Sequence, residues 1–127
     1  MRRVGQARRE KVVAEMHALN GLRHESIMRL DGWFEADHHL WVVTEFCVGG
    51  DLGSLLAQDG QLPQSTVVSF GLDVLAGLQH AHRHDLVVVD LRPCSILIDE
   101  SGLAKLADFG QARRLSEPRD ASASSLC

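Results

Sequence analysis

Two carboxylates stand out in this sequence by their surroundings. Asp90 lies in Val88-Val89-Asp90-Leu91-Arg92-Pro93-Cys94-Ser95-Ile96-Leu97, with a cation two residues after it, and Asp108 opens Asp108-Phe109-Gly110, 18 residues further on. A loop carboxylate can accept the proton of a hydroxyl nucleophile, and a second can hold a divalent metal against phosphate oxygens. Both jobs need the two groups on one cleft. The chain between them, residues 95–98 and 103–107 around Asp99-Glu100-Ser101-Gly102, has the composition of a β-hairpin. A hairpin returns the chain to where it began and so can put both carboxylates on the same side. Taken alone, an aspartate in a loop is more often a turn former than a catalyst. The order of the surrounding elements therefore has to carry the reading.

Those elements follow from periodicity. Val12, Met16 and Leu19 recur at helical spacing, with Val13 beside them, and predict a helix over 7–22. Residues 27–36 and 40–46 mix aromatic and β-branched side chains around Asp37-His38-His39, which predicts a second hairpin. Gly49-Gly50-Asp51 breaks its second strand. A short helix is predicted over 52–58, and Pro63 marks the start of another, because proline suits a first helical turn. The longest helix is predicted over 65–84, with Val67, Gly71, Val74, Leu75, Leu78 and His82 as its apolar stripe. Residues 86–89 form a continuous apolar run ahead of the Asp90 loop. From Leu115 onward periodicity is lost, and residues 116–127 are expected to be a disordered tail.

With the elements in order, residues 88–97 and 108–110 resemble the catalytic loop and the Asp-Phe-Gly motif of protein kinases. Leu40-Trp41-Val42-Val43-Thr44-Glu45-Phe46 resembles the strand that enters the kinase hinge. Gly49-Gly50-Asp51-Leu52 resembles the step into the first helix of the large lobe, and Ala14-Glu15-Met16 resembles the helix of the small lobe (αC) that carries an ion-pairing glutamate. Residues 57–63 and 70–82 resemble the Unc-51-like, fused-type branch of the serine/threonine kinases, especially its degenerate fourth, Runkel-type, members. The resemblance implies an α+β fold, a partial two-lobe kinase running from αC to just past Asp-Phe-Gly. Residues 1–46 would belong to the small lobe and 47–115 to the large lobe. It implies ATP and magnesium as cofactors and a protein as substrate or scaffold partner. Position by position, Asp90 would be the catalytic base, and Arg92 would stand where the loop lysine reaches a phosphate. Asp108 and Ser95 would be the metal ligands. Glu15 would pair with a phosphate-binding lysine, and Thr44 would be the gatekeeper. The backbone of Glu45 and Cys47 would meet adenine, Asp51 the ribose, and Leu97 would floor the adenine ring.

The departures bear on activity. The family's His-Arg before the catalytic aspartate is Val88-Val89 here. Arg92 is a planar fork and not a compact ammonium, and Ser95 offers a hydroxyl where the family has an asparagine carbonyl. No glycine-rich loop and no strand lysine precede Glu15. Lys11 lies four residues before Glu15 on the same predicted helix, so it cannot come from a separate strand. The chain is therefore expected to be a kinase-domain fragment, ATP-binding and phosphoryl-transferring by ancestry and inactive in isolation. The alternatives are a non-catalytic, pseudokinase-like interaction module and a truncated gene product that does not fold alone.

Composition agrees with a single domain of ordinary character. The chain has 127 residues, 45% hydrophobic and 24% charged, with a net charge of −4. Charge is uneven, since residues 31–100 carry eleven acids against Arg83 and Arg92, a net of −9. Basic residues are not interleaved with aromatics, so nucleic acid is not an expected partner. No apolar run is long enough to span a bilayer, and a cytoplasmic location is the default expectation. Cys47, Cys94 and Cys127 are odd in number and far apart, which does not describe a disulfide framework. Cys47 and Cys94 are expected to be semi-buried packing residues. His80, His82 and His84 invite a metal reading, but only 80 and 84 share a helical face and no acid or cysteine stands at matching spacing.

Overall fold

The computed structural model describes residues 3–107 and 113–114; side chains are described from Arg9 to Ala107, apart from Lys11 and Glu15. Asp108, Phe109, the Glu15 carboxylate and the tail 116–127 thus lie outside the described residues. Three helices and three short antiparallel pairs of strands make up the described fold, α1 (Arg3–Asn20), β1 (Leu30–Ala36), β2 (His39–Thr44), α2 (Leu52–Asp59), α3 (Gln64–Arg83), β3 (Leu86–Val87), a 3₁₀ turn (Pro93–Ser95), β4 (Ile96–Ile98), β5 (Ala104–Leu106) and β6 (Arg113–Arg114). Strand β1 pairs with β2, β3 with β6, and β4 with β5. The mixture of helices and small antiparallel sheets is α+β.

The predicted helices and hairpins form at shifted boundaries. The first hairpin turns on two residues only, Asp37 (φ 51°) and His38 (φ 62°), and His39 already belongs to β2. Positive φ at both central residues is the geometry that matches strand twist in a two-residue hairpin. Helix α1 packs on this hairpin. His17 meets Trp33 edge-to-face at 4.8 Å, and Arg9 Nε lies 2.7 Å from Glu35 Oε1. Pro63 sits just outside α3, where its carbonyl accepts from Thr66 N and Val67 N.

One apolar cluster joins the parts: Leu19, Leu22, Ile27 and Leu30 from the first third of the chain meet Val74, Ala81 and Leu86, and Ile96, Ile98, Ala104 and Leu106 of the second hairpin. The stripe expected on α3 is rotated. Val74, Gly77 and Ala81 are buried, whereas Val67, Leu75 and His82 from the predicted stripe are exposed. Small residues face inward because β5 and the loop before β1 run close to the helix axis. A carbon added at Gly77 would lie 2.8 Å from the Ser26 carbonyl oxygen. Large apolar side chains are consequently displaced to the outer face, where Leu72 and Leu75, both 63% exposed, border a depression of about 810 Å³. Such a face binds apolar dyes and promotes association. Replacing both residues, Leu72→Glu with Leu75→Glu, is expected to lower anilinonaphthalene-sulfonate fluorescence severalfold while changing unfolding free energy by no more than about 0.5 kcal/mol.

Candidate functional site

The candidate site starts where β2 ends. Thr44, half-buried, pairs with Leu30 across the hairpin. Glu45 follows and is tied on two sides. Its N–H donates to the Arg29 carbonyl at 3.0 Å. Its carboxylate accepts from the Arg29 N–H at 2.8 Å and from Lys105 Nζ at 2.9 and 3.0 Å. The Lys105 and Glu45 side chains are only 12% and 15% exposed. Burial opposes ionisation of Glu45, but the Arg29 N–H and the Lys105 ammonium outweigh it and hold the carboxyl below its ordinary range. Lys105 also approaches Asp99 at 3.9 Å. Neither Lys105 nor its link to Glu45 is predicted by any motif. The available signal was a lone lysine in an otherwise apolar strand, downstream of a strongly acidic stretch. Part of that acidic charge is balanced here by a lysine that the chain does contain.

Cys47 is buried, and burial, followed by the Glu45 charge, pushes its thiol up. Burial and a raised pKa favour a packing role over a nucleophilic one. Cys94 departs from expectation in being exposed.

Beyond Cys47 the chain adds itself to the second hairpin. Gly49 N donates to the Ile98 carbonyl at 2.9 Å, Ile98 N donates to the Gly50 carbonyl at 2.8 Å, and Asp51 bridges Leu97. The glycines are explained by this approach. A carbon on Gly49 would lie 2.8 Å from the Ile98 carbonyl oxygen, and Gly50 has φ of 69°. Two residues predicted far apart in sequence, Asp51 and Leu97, are thereby neighbours. The Asp51 carboxylate caps α2, accepting from Ser54 Oγ at 2.7 Å and Ser54 N at 3.0 Å, and these bonds lower its pKa. Asp99 lies in the hairpin turn, as its sequence neighbours predict, and its Oδ1 accepts from the Ser101 hydroxyl and from the N–H groups of Ser101 and Leu103.

On the loop before β4, Arg92 Nε donates to Asp90 Oδ1 at 3.0 Å, with both side chains partly exposed. The cation that follows Asp90 in sequence thus turns back onto it. Val88 is half-buried against the core and Val89 is exposed. Ser95 is 4% exposed and its carbonyl accepts from Ala107 N at 2.9 Å. The hairpin therefore returns the chain to Ser95 one residue before Asp108. Asp73, another residue without a motif, accepts from Ala104 N at 3.0 Å and fixes α3 to β5. A cavity of about 190 Å³ lies behind the hinge segment, lined by Leu22, His24, Ile27, Arg29, Glu45 and Lys105 among others. The larger depression on α3 is elsewhere, so cavity size does not point to the Asp90 loop.

A strand running into a glycine-broken connector, a connector paired with a hairpin, and an aspartate loop feeding that hairpin define a segment of a kinase domain. The chain belongs to the protein kinase family, matching the protein kinase domain over residues 1–127. It is similar to serine/threonine-protein kinase RUNKEL of Arabidopsis thaliana, at 40% identity over 114 residues, or 90% of this chain and 8% of that protein. It is similar also to serine/threonine-protein kinase ULK4 of Mus musculus, at 34% identity over 87% of this chain and 8% of that protein. To serine/threonine-protein kinase ATG1b of Arabidopsis thaliana it is 34% identical, over all of this chain and 18% of that protein. These are Unc-51-like kinases, the branch that residues 57–82 resemble. The chain thus spans less than a fifth of the length of these relatives. Among the described residues no helix is long and apolar enough to cross a membrane.

Proposed function

We propose that this chain supplies the hinge, catalytic loop and hairpin of a serine/threonine kinase domain, and that alone it binds nucleotide weakly and transfers little or no phosphate. Residues 1–46 form the small-lobe part and 47–115 the large-lobe part. One observation supports the reading, the pairing of residues 49–51 with β4, which brings Asp51 beside Leu97. In this reading Thr44 guards the back of the adenine site, Glu45 and Cys47 meet the adenine edge, Leu97 lies under the ring and Asp51 faces the ribose. Asp90 orients the substrate hydroxyl and Arg92 neutralises phosphate charge once it leaves Asp90. Magnesium would be held by Asp108 with Ser95. The fit on the described side is poor, since Ser95 is a buried neutral hydroxyl and no group of three His, Cys, Asp or Glu among the described residues is placed to hold a metal. No step is therefore derived through the metal.

A non-catalytic interaction module is the second reading. It is favoured by Val88 and Val89 in place of the family's His-Arg, and by the half-burial of Val88 in the core. Thermal unfolding separates the two. With a dissociation constant of about 1 mM, 10 mM ATP stabilises the folded chain by about 1.4 kcal/mol, a rise of roughly 5 °C for a chain of this size. The rise is expected to survive Asp90→Asn and to be lost in Leu97→Glu. Absence of any shift at millimolar ATP, with or without magnesium, would remove the nucleotide reading and leave the interaction module.

A further inference from the structure

Three imidazoles meet where the loop 21–29 crosses the end of α3. The ring centroids of His24 and His80 are 4.9 Å apart, and those of His80 and His84 are 4.5 Å apart. Each ring has a different bonding state. His84 Nδ1 donates to the His80 carbonyl at 2.9 Å. His24 Nδ1 accepts from the Ser26 N–H at 3.0 Å, so that nitrogen carries no proton. His80 Nε2 is sealed from solvent without a hydrogen-bond partner.

The loop that bears His24 couples the two parts of the fold. Leu106 N donates to the Ser26 carbonyl at 2.8 Å, and Met28 N donates to the Leu106 carbonyl at 2.9 Å. The charges that act on His80 are His84 and Arg83 from its own helix and His24 from the loop, with no acid among them. Further along the loop, the cavity beside His24 brings together Arg23, Glu25, Arg29, Glu45 and Lys105, and in it the Glu45 carboxylate is taken by Lys105. Asp85 follows His84 in the chain.

We propose that His24, His80 and His84 form an acid-operated latch that holds loop 21–29, and with it α1 and the first hairpin, on the end of α3. The stacked rings leave His24 Nδ1 accepting from Ser26. A proton on His80 places a cation beside Arg83 and two further imidazoles, with no acceptor at Nε2, and so loosens the stack that positions His24. Burial, then His84, His24 and Arg83, already hold the His80 pKa below the ordinary 6.5. The unfolded chain therefore takes up more protons than the folded one, and stability rises with pH. The latch contribution is complete above about 6.5 and is lost as pH falls from there toward the folded value.

The test is urea unfolding of the whole 127-residue chain, followed by Trp33 and Trp41 fluorescence, at pH 7.5 and 5.5. The folding equilibrium constant of the unaltered chain is expected to fall severalfold more than that of His80→Phe, which keeps the stack and cannot titrate. His82→Phe, at an exposed position outside the cluster, is expected to behave like the unaltered chain. Amide exchange adds a readout that needs no variant. After correction for intrinsic rates, protection of Ser26 and Met28 should fall severalfold between pH 7.5 and 5.5, while that of Gly60 at the end of α2 should hold. Equal pH dependence in His80→Phe and the unaltered chain, or unchanged protection at Ser26, would overturn the latch. If His80→Phe does not fold, the exchange result on the unaltered chain decides.

Discussion

Lys105→Met should lower the unfolding free energy of the chain by about 3 kcal/mol near neutral pH, the usual scale for removing one partner of a buried ion pair. Methionine nearly preserves the volume, so little of that loss comes from a cavity. What remains is a Glu45 carboxylate, 15% exposed, holding only the Arg29 N–H. The pH dependence identifies the cause. In the unaltered chain the Glu45 pKa is lowered, so its contribution is full above the unfolded carboxyl value and fades as pH falls through the folded one. In Lys105→Met the buried carboxylate prefers to be protonated, so its penalty shrinks on acidification. The gap between the two proteins is therefore expected to be widest near pH 7 and to narrow toward pH 4.5. His80 is common to both, and its contribution cancels in the difference. Lys105→Met with Glu45→Leu should recover most of the loss, because an apolar pair needs no counter-charge. Urea midpoints for the three proteins at two pH values measure all of this, and a loss under about 0.5 kcal/mol in Lys105→Met would remove the pair as a determinant.

The ion pair also bears on the nucleotide binding proposed above. Glu45 stands two residues before Cys47, whose backbone is proposed to meet adenine. Its side chain is held by β5 and its N–H by the residue that precedes β1. The connector is thus fixed from both sides before any ligand arrives, which lowers the ordering cost of binding.

The parts of the fold legible in the sequence are those whose signal is local. Composition and turn residues place both hairpins, glycine and proline bracket α2 and α3, and the order of the motifs around Asp90 and Asp108 carries the resemblance to protein kinases. Orientation was less accessible. The stripe expected on α3 maximises large apolar residues, yet the helix turns Gly77 and Ala81 inward, because closeness to Ser26 and Leu106 is set by the partner and not by the helix. Long-range polar partners were invisible for the same reason. Lys105 and Glu45 are sixty residues apart, and Asp73 reaches Ala104 across thirty-one; no pattern within either segment encodes the other. The resemblance assigns Asp51 to the ribose, and nothing in that assignment shows that its oxygens also cap α2.

Helix α3 offers one substitution with opposite outcomes at two sites. Gly→Ala within a helix gains about 0.5–1 kcal/mol from reduced backbone freedom in the unfolded chain. At Gly71 the added carbon meets nothing within 4 Å, so Gly71→Ala is expected to stabilise by that amount. At Gly77 the same carbon would lie 2.8 Å from the Ser26 carbonyl oxygen and 3.1 Å from Leu106 Cδ1. The first contact is with backbone, and that carbonyl also accepts the Leu106 N–H at 2.8 Å, so it cannot retreat without loosening β5. Overpacking of this kind costs about 1–3 kcal/mol, which exceeds the helical gain. Gly77→Ala should therefore destabilise by about 2 kcal/mol, and Gly77→Val by more, since its branches reach further into the same gap and β-branching disfavours the helix. Thermal or urea unfolding of the variants reads the signs directly. Equal stabilisation at both positions would mean that α3 does not press on loop 21–29. The Asp73 bond, the shared core and the histidine contacts would then have to hold the two parts of the fold together at a looser separation.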